Sequence, residues 1–379
     1  MKRFIILLCV AIMCFNISVY AENAVETDAK SVILMEASTG NILYEQNPDE
    51  RLPIASVTKV MTMLLIMEAV DNGTITLDDM VSVSENAMSY GGSTMFLEAG
   101  EQLSVNDMLK GIAVASANDG CVAMAEHLCG SEAAFVEKMN ARAKELGMEN
   151  TNFMNTNGLD EDNHYSSARD VAIMSRELIG HKKIFDYTSI WTDELRGGKF
   201  QLANTNKLVR FYDGANGLKT GSTSKALCCL SATALRDDMQ LVAVVLGSPT
   251  SAKRFASARA LLDYGFASYK VNYMAKQGED YENVKIEKGV DEYAEAVYES
   301  DCAKLMEKSK PSEYESEFVC EENLKAPISA GQKLGEVKFT QNGEEVGRVN
   351  VVAKNDVAKK GIFAIISDFF AMLTGKNKA

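Results

Sequence analysis

The sequence predicts an α+β fold, in which an antiparallel sheet packs against a helical cluster and is followed by a small all-β domain and a C-terminal amphipathic helix. Strand-like runs flank a long, mainly helical stretch, so we expect one sheet to form from distant parts of the chain. After about Lys270 the helical periodicity fades and short alternating runs take its place. Residues 362–373 close the chain with apolar side chains at helical spacing.

The chain begins with the pattern of a secretory signal peptide. Lys2 and Arg3 precede an apolar run over residues 4–15, and the small residue Ala21 supplies an expected cleavage point. The run is too short for a typical membrane-spanning helix. We therefore expect residues 1–21 to be removed after export.

A catalytic domain is expected over residues 24–270. Residues 31–35 and 41–45 are β-rich and predict an antiparallel hairpin. Residues 60–70 are almost wholly apolar and end at Asn72-Gly73, a pattern typical of a helix buried in the middle of a domain.

Alternating helical and strand patterns fill the rest of this domain. Helices are predicted over residues 105–114, 119–128, 133–146, 167–178 and 254–266, with a loop over residues 151–165. Strands are predicted over residues 208–212, 217–222, 226–234 and 240–246.

The region over residues 271–357 reads as a separate small β domain. Residues 337–340 and 346–352 flank Asn342-Gly343, the strongest short signal for a hairpin. This region contains no catalytic motif. It is therefore expected to act either as a spacer or docking module or as a domain that stabilises the catalytic domain. A Cys302–Cys320 disulfide is a further hypothesis for an exported chain.

The tail over residues 358–379 combines an apolar helical face with flanking lysines. Its apolar part is too short, and too interrupted by Asp368, to cross a bilayer. A helix lying in the membrane interface fits better, and a helix packed on the protein itself is the alternative.

Composition excludes several function classes. A net charge of −14 and a pI near 4.9 argue against a nucleic-acid partner. The three histidines are scattered, and the cysteines do not have the spacing of a zinc site. We therefore expect no metal, no other cofactor and no histidine base.

Three short motifs carry the chemistry. Ser56 and Lys59 stand one turn apart where the buried helix begins, and a lysine that enters such a helix tends to lose its proton. A neutral amine beside a hydroxyl activates serine as a nucleophile. Ser116-Ala117-Asn118 follows in an inter-helix loop, and Lys219-Thr220-Gly221 follows in a strand.

With these motifs in this order, the sequence resembles the low-molecular-weight penicillin-binding proteins, specifically the serine-type D-alanyl-D-alanine carboxypeptidases. The likeness covers nearly the whole mature chain. Two residues depart from the family's usual pattern, because Asn216 stands where Asp is usual and Leu227 where Gly is common. The matching stretches are residues 55–62, 92–97, 116–119, 157–159, 164–170 and 217–221.

The resemblance implies a penicillin-binding/β-lactamase-like transpeptidase fold and a role for each motif residue. Ser56 would attack the carbonyl of the penultimate D-alanine, and Lys59 would take its proton. Ser116 would relay a proton to the leaving amine, while Asn118 would orient the substrate amide and Lys59. The charge of Lys219 would lower the pKa of Lys59 further.

The resemblance also assigns the substrate-binding residues. Gly221 would let the substrate lie along the strand edge as an added strand. Thr220 and Arg254 would bind the terminal carboxylate, Arg254 by a forked contact, with a surface ion pair as its alternative role. The N–H groups of Ser56 and Ser222 would form an oxyanion hole.

The implied partners are peptidoglycan stem peptides ending in D-Ala-D-Ala, β-lactam antibiotics as covalent inhibitors, and a membrane surface bound by the tail. The implied place is the outer face of the cytoplasmic membrane or the cell wall. A β-lactamase and a non-catalytic β-lactam or peptidoglycan sensor are the alternatives. Against the former, no Glu between Asn118 and Lys219 has Asn four residues on, the pair that positions water in class A enzymes.

Overall fold

The computed structural model describes residues 25–310 and 313–361. The expected signal peptide over residues 1–21 and the expected amphipathic helix over residues 362–373 lie outside the described residues. Among the helices that are described, none has both the length and the hydropathy needed to cross a membrane.

The first part of the chain alternates strands and helices. Its strands are β1 (Ser31–Glu36), β2 (Ile42–Gln46), β3 (Met80–Ser82), β4 (Gln102–Ser104), β5 (Thr192–Leu195), β6 (Phe200–Ala203), β7 (Ala215–Thr223), β8 (Leu227–Arg236) and β9 (Met239–Ser248). Its helices are α1 (Lys59–Asp71), α2 (Glu85–Met88), α3 (Val105–Lys110), α4 (Asn118–Cys129), α5 (Glu132–Glu145), α6 (Ala168–Gly180), α7 (Phe185–Thr188), α8 (Leu208–Phe211) and α9 (Ser251–Ser268).

A five-stranded antiparallel sheet in the order β2-β1-β9-β8-β7 organises this part. Alternate residues of a strand point to opposite faces, and both faces are covered here. Ile33 and Val244 pack with the helical cluster around α1, whereas Leu34 and Ala243 pack against α9. The prediction of one sheet assembled from distant strands and packed on a helical cluster is confirmed.

Helix α1 lies in the centre of the helical cluster. Every residue from Lys59 to Met67 is buried, which the all-round apolar pattern predicted. A 3₁₀ turn at Ala55–Thr58 leads directly into it. Because the helix is fixed on all sides, the residues at its first turn are held rigidly.

Two local predictions need correction. Residues 208–212 were expected to form a strand, but residues 208–211 form the short helix α8, because the side chain of Asn206 accepts a hydrogen bond from the N–H of Leu208 and turns the chain. The helix expected over residues 105–114 is broken, since a π-helical turn at Gly111–Ala115 follows α3.

The second part of the chain is all β. A two-stranded β10-β13 ribbon accompanies a five-stranded sheet in the order β11-β12-β16-β15-β14, with its own apolar core. The strands are β10 (Tyr269–Ala275), β11 (Asp280–Lys285), β12 (Tyr293–Tyr298), β13 (Cys302–Glu307), β14 (Glu315–Cys320), β15 (Lys333–Gln341) and β16 (Glu344–Ala353).

The β15–β16 hairpin confirms the Asn-Gly prediction. Asn342 and Gly343 both have positive φ, 53° and 81°, as a tight hairpin turn requires. Cys302 and Cys320 are free thiols, so the proposed disulfide is wrong.

Candidate active site

The nucleophile candidate lies on the 3₁₀ turn that precedes α1. The hydroxyl oxygen of Ser56 is 2.9 Å from the Nζ of Lys59, which is the one-turn pairing expected from the spacing. Lys59 is fully buried while Ser56 keeps partial exposure. The hydroxyl can therefore reach a ligand while the amine stays out of water.

Lys59 has two further partners from different parts of the chain. Its Nζ lies 2.7 Å from the Oδ1 of Asn118 and 2.7 Å from the backbone carbonyl oxygen of Asn157. Burial lowers the pKa of Lys59 to about 8. At neutral pH a minor but sizeable fraction of molecules therefore holds the neutral amine that a general base requires.

Lys219 is the second buried lysine of the site. Its Nζ donates to the carbonyl oxygen of Thr220 at 3.0 Å. Burial, and then repulsion from the charge of Lys59, hold the pKa of Lys219 well below its ordinary value. We expected burial, and in addition repulsion from Lys219, to lower the pKa of Lys59; burial does so, whereas the repulsion lowers the pKa of Lys219.

A loop that sequence reasoning gave no chemical role completes the surroundings of Lys59. Asn157 supplies the carbonyl, and Gly158 lies directly on the nucleophile turn: a Cβ at Gly158 would stand 1.9 Å from the carbonyl oxygen of Ala55. The Oδ1 of Asn155 accepts the N–H of Gly158 at 2.7 Å and fixes the turn. The available signal was the stretch 157–159, which matched the resembling family.

The second motif sits at the end of the π-helical turn. Ser116 has left-handed φ and ψ of 65° and 35°, and α4 begins at Asn118. Asn118 accepts from Lys59 and donates to the carbonyl oxygen of Gly91 at 2.7 Å, so one of its two N–H donors is free for a ligand. Within the described residues, the Ser116 hydroxyl forms no hydrogen bond and is likewise free.

Strand β7 brings the third motif against the nucleophile turn. A Cβ at Gly221 would lie 2.6 Å from the carbonyl oxygen of Ile54 and 3.0 Å from the backbone nitrogen of Ser56, so only glycine fits there. Thr220 shares a 2.7 Å hydrogen bond with the hydroxyl of Thr205, a residue that we did not predict. Ser222 follows at the exposed end of the strand.

Arg254 lies behind this strand, on α9. Its Nη1 donates to the carbonyl oxygens of Gly221 and Cys229, each at 3.2 Å, and its Nη2 donates to Ser251 at 3.1 Å. It is 6% exposed, so the alternative role as a surface ion pair does not apply. Its buried Nε has no hydrogen-bond partner in the structure, and burial lowers its pKa.

The site as a whole is electropositive. Among the residues that the structure describes, the buried basic side chains Lys59, Lys219 and Arg254 have no salt bridge. Uncompensated buried charge is costly unless a ligand of opposite sign neutralises it. The geometry therefore suits a ligand that carries a carboxylate next to an acyl group.

Comparison with known proteins agrees with this geometry. The sequence profile described as "D-alanyl-D-alanine carboxypeptidase" matches residues 18–250. The chain belongs to the D-alanyl-D-alanine carboxypeptidase family. A second profile, described as "Penicillin-binding protein 5, C-terminal domain", matches residues 269–359 of this carboxypeptidase.

Relatives of the carboxypeptidase extend along most of its length. It is 44% identical over 343 residues to D-alanyl-D-alanine carboxypeptidase DacF of Bacillus subtilis, covering 89% of this chain and 88% of that protein. It is also similar to the crystal structure of penicillin binding protein 5 from Haemophilus influenzae, with a TM-score of 0.69 and 33% identity, covering 88% and 98% of the two chains.

A second similar structure, besides that of penicillin binding protein 5, contains a ligand. Penicillin-binding protein D2 from Listeria monocytogenes in its ampicillin-bound form has a TM-score of 0.59 and 33% identity, covering 64% of this chain and 99% of that one. The predicted family, the penicillin-binding-like α+β domain and the all-β region are thus confirmed. The protein is a serine D-alanyl-D-alanine carboxypeptidase of cell-wall metabolism, and neither alternative function is favoured.

Proposed function

We propose that this carboxypeptidase removes the terminal D-alanine from peptidoglycan pentapeptide stems through an acyl-enzyme on Ser56. The observation that carries the proposal is the buried amine of Lys59, 2.9 Å from the Ser56 hydroxyl and with its pKa lowered to about 8. Among the described serines, no other has an accessible hydroxyl that is hydrogen-bonded to a buried lysine.

In the acylation step the neutral amine of Lys59 takes the proton from Ser56 as the hydroxyl oxygen bonds to the carbonyl carbon of the penultimate D-alanine. The N–H groups of Ser56 and Ser222 hold the resulting oxyanion, and losing one such donor raises the barrier by ~3 kcal/mol. The C–N bond then breaks, and Ser116 relays the proton held by Lys59 to the departing amine, which returns Lys59 to its neutral form. Water later hydrolyses the ester and frees Ser56.

Substrate positioning falls to the surrounding residues. The stem peptide adds to the edge of β7, where Gly221 permits close approach. The free N–H of Asn118 holds the amide carbonyl that precedes the reacting D-alanine. Thr220 and Arg254 bind the terminal carboxylate, Arg254 through the forked contact that a guanidinium can make.

The location of the protein forms a separate proposal. We infer export through a signal peptide over residues 1–21, a catalytic domain over 24–270, a β domain over 271–357, and attachment to the outer face of the membrane by residues 358–379. The amphipathic pattern of the tail supports attachment. If deletion from Lys359 onward leaves membrane partition unchanged, the tail is not the anchor.

Covalent labelling tests the chemistry. Penicillin should add its full mass to the intact protein and to one tryptic peptide that contains Ser56, as read by mass spectrometry. Ser56→Ala should abolish labelling and the release of D-alanine from a pentapeptide. Labelling that persists in Ser56→Ala would overturn the assignment, and rapid, repeated nitrocefin hydrolysis would favour a β-lactamase.

A further inference from the structure

Glu132 lies at the start of α5 and accepts three hydrogen bonds that the mechanism above does not use. Its Oε1 accepts from the backbone N–H and the hydroxyl of Thr156, at 3.2 and 2.8 Å. Its Oε2 accepts from the hydroxyl of Tyr90. The negative charge is favourable here because the residue is in the first turn of the helix. One carboxylate therefore ties together two loops that are distant in the sequence.

The first of these loops holds the carbonyl that contacts the general base. Thr156 directly precedes Asn157, whose carbonyl oxygen lies 2.7 Å from the Nζ of Lys59. Thr156 is fully buried, and its own carbonyl oxygen accepts from the hydroxyl of Thr62 on α1 at 2.6 Å. With its N–H and hydroxyl bound to Glu132, this residue is fixed through three polar groups. The carbonyl of Asn157 is therefore held in place beside the amine.

The second loop holds the carbonyl that orients Asn118. Tyr90 directly precedes Gly91, whose carbonyl oxygen accepts from the Nδ2 of Asn118 at 2.7 Å. Gly91 and Gly92 are consecutive glycines, and Gly92 has a positive φ of 82°, so the backbone here is intrinsically permissive. The hydrogen bond from the Tyr90 hydroxyl to Glu132 supplies a restraint that the glycines lack.

The two loops close into a ring of contacts, because the Oδ1 of Asn118 also lies 2.7 Å from the Nζ of Lys59. The ring runs from Glu132 through one loop to Lys59, across to Asn118, and back through the other loop to Glu132. Hydrogen bonds in such a network reinforce one another. A displacement of either loop would therefore move a hydrogen-bond partner of Lys59 or of Asn118.

We propose that Glu132 is a positioning residue for the carboxypeptidase reaction and acts through two arms of hydrogen bonds. The arm through Thr156 holds the carbonyl that contacts Lys59, and the arm through Tyr90 holds the carbonyl that orients Asn118. The inference rests on the proposed function, because it concerns the surroundings of the same base. The carboxylate acts only as a hydrogen-bond acceptor, so an amide of the same shape should replace it.

Substitution of Glu132 in the full-length protein tests the proposal. Glu132→Ala removes both arms and should lower kcat/KM for Nα-acetyl-L-lysyl-D-Ala-D-Ala about 10²-fold, the loss that a small misplacement can cause. Glu132→Gln should stay within about threefold of the wild type, because its carbonyl oxygen accepts from Thr156 and its amide donates to the oxygen of Tyr90. Glu137→Ala, at an exposed position on the same helix, is the matched control and should keep the wild-type value. All rates are normalised to the folded fraction measured by circular dichroism.

Two milder variants open one arm each. Thr156→Val lacks the hydroxyl, so charged Lys59 should lose a well-placed acceptor; its pKa then falls, and the inflection of penicillin acylation should move to lower pH by about 0.5 units or more. Tyr90→Phe should raise KM for the peptide about three- to tenfold, the effect of one lost hydrogen bond, and leave the inflection unchanged. The other titratable groups around the base are the same in both variants, namely Asp119, Cys121 and Lys219.

The results separate positioning from folding and from the function itself. Wild-type kcat/KM in Glu132→Ala, or equal impairment of Glu132→Gln and Glu132→Ala, would overturn the role of Glu132 as an acceptor. An unchanged inflection in Thr156→Val or an unchanged KM in Tyr90→Phe would also overturn it, and these two variants decide the matter if Glu132→Ala does not fold. Absence of D-alanine release by the wild type would instead contradict the proposed function.

Discussion

The catalytic site and the β region differ in whether their charged side chains are buried and whether they form ion pairs. Around Ser56, the buried Lys59 has polar partners but no ion pair in the described part of the chain. In the β region, charged side chains such as Lys354 and Asp280 are exposed and lie in ion pairs, while its core is apolar. Buried, unneutralised charge is retained where a ligand will neutralise it or a proton must move, whereas exposed pairs chiefly keep the surface solvated.

The largest expected effect comes from removing the buried amine. Lys59→Met should lower the rate of penicillin acylation by about 10³-fold, the loss typical of a general base. Its stability should equal or exceed that of the wild type at pH 7, because the wild type there buries a protonated lysine whose pKa has fallen from 10.5 to about 8. That cost is about 3 kcal/mol and disappears as the pH rises from 8 to 10.5.

Stopped-flow acylation and thermal unfolding measure the two quantities. Lys354→Met, which breaks an exposed pair in the β region, is the matched control and should acylate at the wild-type rate. If Lys59→Met lost much stability but acylated at the wild-type rate, the buried charge at the catalytic site would serve the fold and not the reaction, contrary to the distinction drawn above.

A second prediction compares two glycines with positive φ. Gly158→Ala should reduce acylation about 10²-fold and destabilise the fold by ~3 kcal/mol or more, since the new Cβ would collide with the carbonyl of Ala55 and displace Asn157. Gly278→Ala in the β region meets no atom within 4 Å and should cost only the ~1 kcal/mol of its left-handed backbone. Chemical denaturation and acylation rates of both variants provide the measurement, and equal effects would count against the close approach.

The pH dependence sharpens the same comparison. Below pH 8 the acylation rate should rise about tenfold per pH unit and then level off, because only neutral Lys59 accepts the proton. Rates measured from pH 5.5 to 9.5 should give one inflection near pH 8. A profile that is flat across this range would exclude Lys59 as the base.

The smallest effect concerns two left-handed residues outside the chemistry. Leu227 has φ of 59°, a left-handed conformation that glycine adopts without strain, so Leu227→Gly should stabilise the fold by ~1 kcal/mol. Asn342 has φ of 53° in the β-region hairpin, yet Asn342→Gly should change stability by only ~0.3 kcal/mol because asparagine tolerates this conformation. Urea unfolding of both variants tests the difference, and destabilisation by Leu227→Gly would refute it.

Much of the site followed from short-range patterns. Ser56 and Lys59 share a helix face because they are three residues apart, and the buried helix followed from an unbroken apolar run. The β15–β16 hairpin followed from Asn342-Gly343. The strand predicted over residues 208–212 was wrong, because the side chain of Asn206 redirects the backbone at Leu208 despite the β-rich composition there.

By itself, the sequence determined which side chains could do the chemistry, since their types and local spacing are properties of the chain. Only the tertiary structure decided what surrounds them: the carbonyl of Asn157 on Lys59, Thr205 on Thr220, and Arg254 behind β7. The physical reason is that every residue has a backbone carbonyl, so the sequence does not indicate which carbonyl will contact Lys59. Burial, which sets the pKa of Lys59, arises only when segments about a hundred residues apart pack around it.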